Sequence, residues 1–198
     1  MGKGEQTRSA ILAAALAQAS ESGFESLTIG SLAERAGLSK SGLFAHFGSR
    51  EELQIAAIEA AGARFTETVF LPAFKAPRGL PRLRALFDNW IAWTSLSGLP
   101  HGCPMQAAAI EFDDRPGPVR DAVTDHFARL ERQLRRAVGM AVDQAHFRSD
   151  VDVSQFAFDT LGIILAYYHG ARLFDPGESA ERARRAFERL VKAASTAD

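Results

Sequence analysis

His101, Cys103 and Asp113 hold the three functions of a nucleophilic triad, and Glu111, Asp113 and Asp114 place three carboxylates close together. Neither grouping has the spacing its chemistry needs. A metal shell draws ligands at fixed offsets from a turn or helix face, and a triad needs a base oriented between nucleophile and acid. The acidic run stands before Arg115-Pro-Gly-Pro118 and reads as the end of one helix and the cap of the next. An enzyme is therefore the competing class, and no catalytic residue, metal or cofactor is assigned.

A second set of residues suits a polyanion. Within Thr28–Leu53, Ser39, Lys40, Ser41 and Gly42 stand at the start of a short helical segment. Lys40 and Ser41 occupy its exposed N-terminal end, from which side chains can reach base edges, and Lys40 could pair with guanine O6 and N7. Gly42 allows the backbone close to a groove, and Ala45 offers apolar contact to a thymine methyl. Thr28, His46 and Arg50 are candidate phosphate contacts, aided by free amides at helix starts. For Thr28 and Ser39 the plain alternative is capping, and both roles can coexist. For Arg50 the alternative is a solvated surface charge.

These side chains need a frame. Leu32, Ala33 and Ala36 fall on one side of a first short helix, and Gly37 can take the left-handed conformation that ends it. Ser39 caps a second helix whose inward positions are read as Leu43, Phe44 and Phe47, and small Ala33 lets the two helices cross closely. That is helix-turn-helix spacing, with the second helix directed at the major groove. Ser49-Arg50-Glu51-Glu52 reads as a capping box opening a long helix to about Leu71-Pro72. Upstream, Thr7–Ser22 carries Ile11, Leu12, Ala15, Leu16 and Ala19 on one stripe, ended by Gly23.

The rest of the pattern is helical. Expected helices run Leu83–Leu96, Cys103–Phe112, Val119–Gln144, Ser154–Phe174 and Glu178–Ala194, with Ser97–Gly102 a loop. The chain reads as all-α with about nine helices and no strand. Residues 1–48 form a helix-turn-helix domain, and 49–198 a ligand-binding and dimerisation domain whose connecting helix spans 49–72. With 46% hydrophobic residues, 24% charged and no apolar run of spanning length, no membrane segment is expected. Met1–Gln6 is polar, so no signal peptide is read, and the single cysteine fits a reducing cytoplasm. Net charge is −1, and residues 1–50 set five cations (Lys3, Arg8, Arg35, Lys40, Arg50) against four carboxylates (Glu5, Glu21, Glu25, Glu34). DNA binding would then depend on where the cations sit, not on bulk charge.

Thr28-Ile29, the run A-G-L-S-K-S-G-L-F-A-H-F and G-S-R-E-E-L together resemble the TetR-type bacterial transcriptional regulators, over about Thr7–Leu53. The remainder is similar in layout, and G-C-P-M followed by A-x-E-F-D-D-R-P-G-P-V-R resembles one recurring C-terminal subtype. The resemblance implies a cytoplasmic homodimer on palindromic double-stranded operator DNA. It also implies a small-molecule effector, bound in each C-terminal domain, that releases the DNA. The family usually has tyrosine where this chain has Phe44, whose ring cannot give the hydroxyl's phosphate bond.

For the effector, apolar and aromatic residues at Phe87, Trp90, Trp93, Cys103, Met105, Phe112, Phe127 and Tyr167 are candidate pocket lining, with core packing as the alternative for each. Cys103 at a helix start near His101 also allows a redox or electrophile sensor. An effector-independent DNA-binding protein is a third reading. Helices 154–174 and 178–194 are the expected dimer pair, since the first is apolar around its circumference and needs burial on every side. Ligand binding would act through the helix from Ser49 to Leu71, altering a recognition-helix separation that must match about 34–36 Å of DNA.

Overall fold

The computed structural model describes residues 2–99 and 101–196; Met1, Pro100 of the expected loop, Ala197, Asp198 and the Lys3 side chain lie outside the described residues. Among the described residues there are eleven α-helical segments and no strand beyond an isolated Phe147–Ser195 bridge. The two segments beyond the nine expected come from two divided helices. The connecting helix is α4 (Arg50–Phe65), a π-helical turn (Thr66–Phe70) and α5 (Leu71–Ala73), while the expected Leu83–Leu96 helix is α6 (Leu80–Ile91) and α7 (Trp93–Leu96).

The chain packs as two units, Met1–Arg64 with Ser97–Phe127 and Phe65–Leu96 with Ala128–Asp198. This packing does not follow the expected division at residue 49, because the Ser97–Phe127 segment packs with the N-terminal helices.

In the first unit, α1 (Lys3–Ser22) buries Ile11, Ala15, Leu16 and Ala19 and stops at Gly23, whose φ of +80° excludes side chains. It starts a turn earlier than expected, with the Glu5 carboxylate accepting from the Gly2 amide at 2.8 Å. A 3₁₀ turn (Phe24–Ser26) follows, with Phe24 and Leu27 fully buried. Then come α2 (Ile29–Arg35) and α3 (Lys40–Phe47). Leu38 N–H reaches the Ala33 carbonyl at 2.9 Å and Gly37 N–H that of Glu34 at 3.2 Å, with Gly37 at φ +65°. That is the Schellman pattern, and it sets the angle between α2 and α3. α8 (Pro104–Phe112) buries Met105, Ala108 and Phe112, and the start of α9 (Pro118–Asp143) buries Val119 and Val123.

In the second unit, the Phe65 ring meets Phe70, Trp90 and Trp93 edge-on at 5.9, 5.3 and 5.1 Å. Asn89 Nδ2 donates to the Val69 carbonyl at 3.0 Å, serving a group that the widened π turn presents. Where α6 breaks, Tyr167 Oη donates to the Ile91 carbonyl at 2.8 Å. α10 (Val153–Leu173) and α11 (Pro176–Ala194) pack side by side, with Phe187 of α11 stacked on Phe87 of α6 at 4.0 Å. No helix among the described residues is long and apolar enough to cross a membrane.

Candidate nucleic-acid interface

The reading surface starts from what anchors α3. Leu43 and Phe47 are buried, and Arg8 of α1 donates to the His46 carbonyl at 2.7 Å while its guanidinium sits 4.4 Å over the Phe47 ring. A cation–π contact and a charge-assisted bond thus pin the C-terminal end of α3 to α1. The Ser39 hydroxyl accepts from Gly42 N–H at 3.0 Å, capping the other end, and lies 3.2 Å from the Ser41 hydroxyl.

Lys40, Ser41, Phe44 and Ala45 face solvent. Phe44 corrects the reading of three inward positions: its side chain is 54% exposed, because Leu43 and Phe47, four apart, already occupy the buried stripe. A large apolar ring on the row beside Lys40 belongs to the outward face.

Thr28 caps α2, its Oγ1 accepting from Ser31 N–H at 3.0 Å, and it is exposed. Gln18, 9% exposed, donates to the Ser26 carbonyl at 2.8 Å and the Ser31 hydroxyl at 3.2 Å, tying α1 to the entry of α2. His46 is half-buried.

Arg50 is exposed yet bonded within the chain: Nε donates to the Leu27 carbonyl at 2.9 Å, and a terminal nitrogen reaches the Glu25 carbonyl and carboxylate. Its side chain stays 45% exposed, so these bonds hold the guanidinium at the surface. Of the capping box, Glu52 N–H reaches the Ser49 hydroxyl at 3.0 Å. The return bond is replaced: Ser49 N–H donates to the Phe47 carbonyl, and the Glu52 carboxylate lies over Gly48.

Charge placement follows from these contacts. Arg35 pairs with Glu21 through two bonds at 3.0 and 2.9 Å, and this pairing holds the Glu21 carboxyl below its ordinary range. Arg8 and Arg50 are likewise engaged within the protein. Among the described side chains of residues 2–50, Lys40 is the cation whose ammonium has no protein partner. Its stem lies across Gly30, where an added Cβ would come within 3.5 Å of Cε.

The residues expected to line a ligand site divide between the units. Phe87, Trp90, Trp93 and Tyr167 belong to the second and are buried; Cys103, Met105, Phe112 and Phe127 belong to the first. Cys103 stands at the N-cap of α8 and is half-buried, as is Phe127. Trp93 is fully buried, and its Nε1 has no hydrogen-bond partner among the described residues. His101 and Asp113 are exposed, and among the described residues no cluster of three His, Cys, Asp or Glu could hold a metal.

On α10, Phe158 and Leu165 are 70% and 52% exposed, and Phe174 beyond its end is 75% exposed. They line an open groove against α11 together with Gly162, Ala166 and Leu190, edged by Arg182, Glu188 and Arg189. The sequence gives no sign of Arg8 and Gln18 as residues that tie α3 and the entry of α2 to α1. Arg8 acts on a backbone group 38 residues away and Gln18 on one just past the end of its own helix, and helical periodicity registers neither.

Residues 11–57 match the model for bacterial regulatory proteins of the tetR family, and residues 79–187 match that for the tetracyclin repressor-like C-terminal domain. No curated protein matches significantly. Among solved structures, a TetR regulator from Chloroflexus aurantiacus is similar at 26% identity and a TM-score of 0.81, over 97% of this chain and 96% of that one. SCO4454, a TetR-family regulator from Streptomyces coelicolor, shares 19% identity at a TM-score of 0.83, with 97% of each chain covered. AibR, solved with isovaleryl coenzyme A and operator DNA, is similar at 20% identity and a TM-score of 0.65, over 96% of this chain and 97% of that one. With both halves matched by the family's own domains and the helix-turn-helix built as described, the chain belongs to the TetR family and is a DNA-binding transcriptional regulator rather than an enzyme.

Proposed function

We propose that the protein is a homodimeric repressor that grips a palindromic operator and is released by a small-molecule effector. Residues 1–48 read DNA, and 49–198 receive the effector and form the dimer. The observation that carries the reading is the outward row on α3. Lys40, with its ammonium unpaired, Ser41 and Phe44 are exposed on a helix whose other side and both ends are fixed. Lys40 and Ser41 address base edges, Gly42 admits the close approach, and Thr28, Ser39 and His46 face the backbone phosphates. Arg50, exposed and bonded to the Leu27 and Glu25 carbonyls, braces the edge of this surface.

The groove between α10 and α11 supports dimerisation. Exposed Phe and Leu side chains two turns apart on one helix cost free energy in water, and a second copy would cover them with the same face. For the effector, AibR holds both a ligand and DNA on a similar fold. The Trp93 N–H, buried and without an acceptor among the described residues, supports a ligand that brings a hydrogen-bond acceptor to the aromatic group around Phe65.

A gel-shift series on an operator recovered from random duplexes tests the assignment. Lys40→Ala should weaken binding by about 1–3 kcal/mol and relax preference at one base pair of each half-site. Unchanged affinity with unchanged base preference removes Lys40 from the interface.

A further inference from the structure

The Glu111–Arg115 run carries neither catalysis nor metal, yet it is engaged. The Glu111 carboxylate of α8 accepts from the backbone N–H of Glu25 at 2.9 Å, and Arg115 pairs with the Glu25 carboxylate at 3.0 Å. Glu111 lies so close over the end of α1 that a Cβ on Gly23 would fall 1.6 Å from its Oε1. From α4, Gln54 donates to the Phe24 carbonyl at 2.9 Å and Arg50 to the Leu27 carbonyl at 2.9 Å.

The short turn between α1 and α2 is thus held by its amide from α8 and by its carbonyls from α4. Thr28, the cap of α2, follows directly. A turn whose polar groups are satisfied by distant helices takes its position from them, because abandoning either set leaves backbone groups unpaired. The Schellman turn then fixes α3 relative to α2, so a shift of the Phe24–Ser26 turn reaches the DNA-reading row.

We infer that Glu111 is a positioning residue of the reading head, carrying the placement of α8 into α2 and α3 through the Phe24–Ser26 turn. This rests on the DNA-binding reading and adds a second route beside the connecting helix. Linkage is reciprocal: if α8 governs α2 and α3, DNA that fixes α2 and α3 must also tighten α8. The device can therefore be tested without knowing the effector.

The test is hydrogen exchange on the full chain, with and without a duplex selected from random DNA by the protein itself. In the wild type the duplex should slow exchange in residues 24–26 and across 104–112. In Glu111→Ala, saturating duplex should still slow α2 and α3, but the slowing across 104–112 should vanish, and affinity should fall about five- to thirty-fold. Glu111→Gln keeps an acceptor oxygen for the Glu25 amide and should recover most of both. A merely structural Glu111 gives another pattern: lower thermal stability in Glu111→Ala, with wild-type affinity and the α8 response intact. That result overturns the inference, as does an α8 indifferent to DNA in the wild type, a measurement needing no variant. If the wild type enriches no duplex at all, the DNA-binding reading fails first, and visibly so.

Discussion

Replacing Phe44 by Tyr tests the outward face of α3 with a single oxygen atom. The ring is 54% exposed, so the added hydroxyl meets solvent in the free protein and displaces no packed neighbour. Folding stability should stay within about 0.5 kcal/mol of the wild type, as for surface substitutions generally. On DNA the hydroxyl can donate to a phosphate oxygen, a bond with a net contribution of about 0.5–1.5 kcal/mol. A symmetric dimer makes the contact twice, giving about 1–3 kcal/mol, or roughly 5- to 150-fold tighter binding. The bond neutralises no phosphate and releases no counterion, so affinity should rise in parallel at all salt concentrations. Fluorescence anisotropy with a labelled operator between low and physiological salt reads both quantities. A variant with wild-type stability but unchanged or weaker binding would show that position 44 of the outward row does not meet the DNA backbone. A changed salt slope would show that the gain came from rearranged cations.

Three further outcomes follow from the geometry. Arg50→Ala should cost about 1–3 kcal/mol of folding stability in urea denaturation, because it strips charged donors from the Leu27 and Glu25 carbonyls; wild-type stability with weakened DNA binding would return Arg50 to a phosphate role. Phe158→Glu should leave the protein folded while sedimentation shows dimers giving way to monomers, and an undiminished dimer would exclude the α10–α11 groove as the interface. The Arg35 hydrogen bonds lower the Glu21 pKa from its ordinary 4.5, so this pairing stabilises the native state above that value and is lost as pH falls through the lowered one. The difference in urea midpoint between wild type and Arg35→Ala should therefore shrink on acidification from pH 7 to about 3, and a difference constant with pH would contradict it.

The helix-turn-helix was legible because its signals are local. Thr28 and Ser39 are capping residues at helix starts, Gly37 stands where a left-handed residue is required, and Leu32, Ala33, Leu43 and Phe47 keep helical spacing. Phe44 was misread inward because an apolar type was taken as sufficient evidence of burial, although its neighbours at helical spacing had already filled the stripe. The two divided helices carry little sequence signal: the Val69 carbonyl of the π turn at Thr66–Phe70 is taken by Asn89, and the Ile91 carbonyl before the break at Ala92 by Tyr167, both distant in sequence. Arg50, expected as a phosphate contact or a solvated charge, gave no sign of its bonds to backbone carbonyls more than twenty residues away. Glu111, whose partner amide is 86 residues distant, was hidden for the same reason. Long-range side-chain-to-backbone bonds depend on tertiary placement, and residue type alone does not announce them.

The central claim is a pair of reading heads held at a fixed separation on symmetric DNA. Sequencing the duplexes that the full-length protein enriches from a random pool tests it most directly. A symmetric dimer should enrich one inverted repeat, with half-site centres about one helical turn apart (~34–36 Å) or a multiple of it, and two protomers or a multiple of two bound per site. Enrichment of a single unrepeated half-site bound by one protomer, or of no sequence at all, would contradict it.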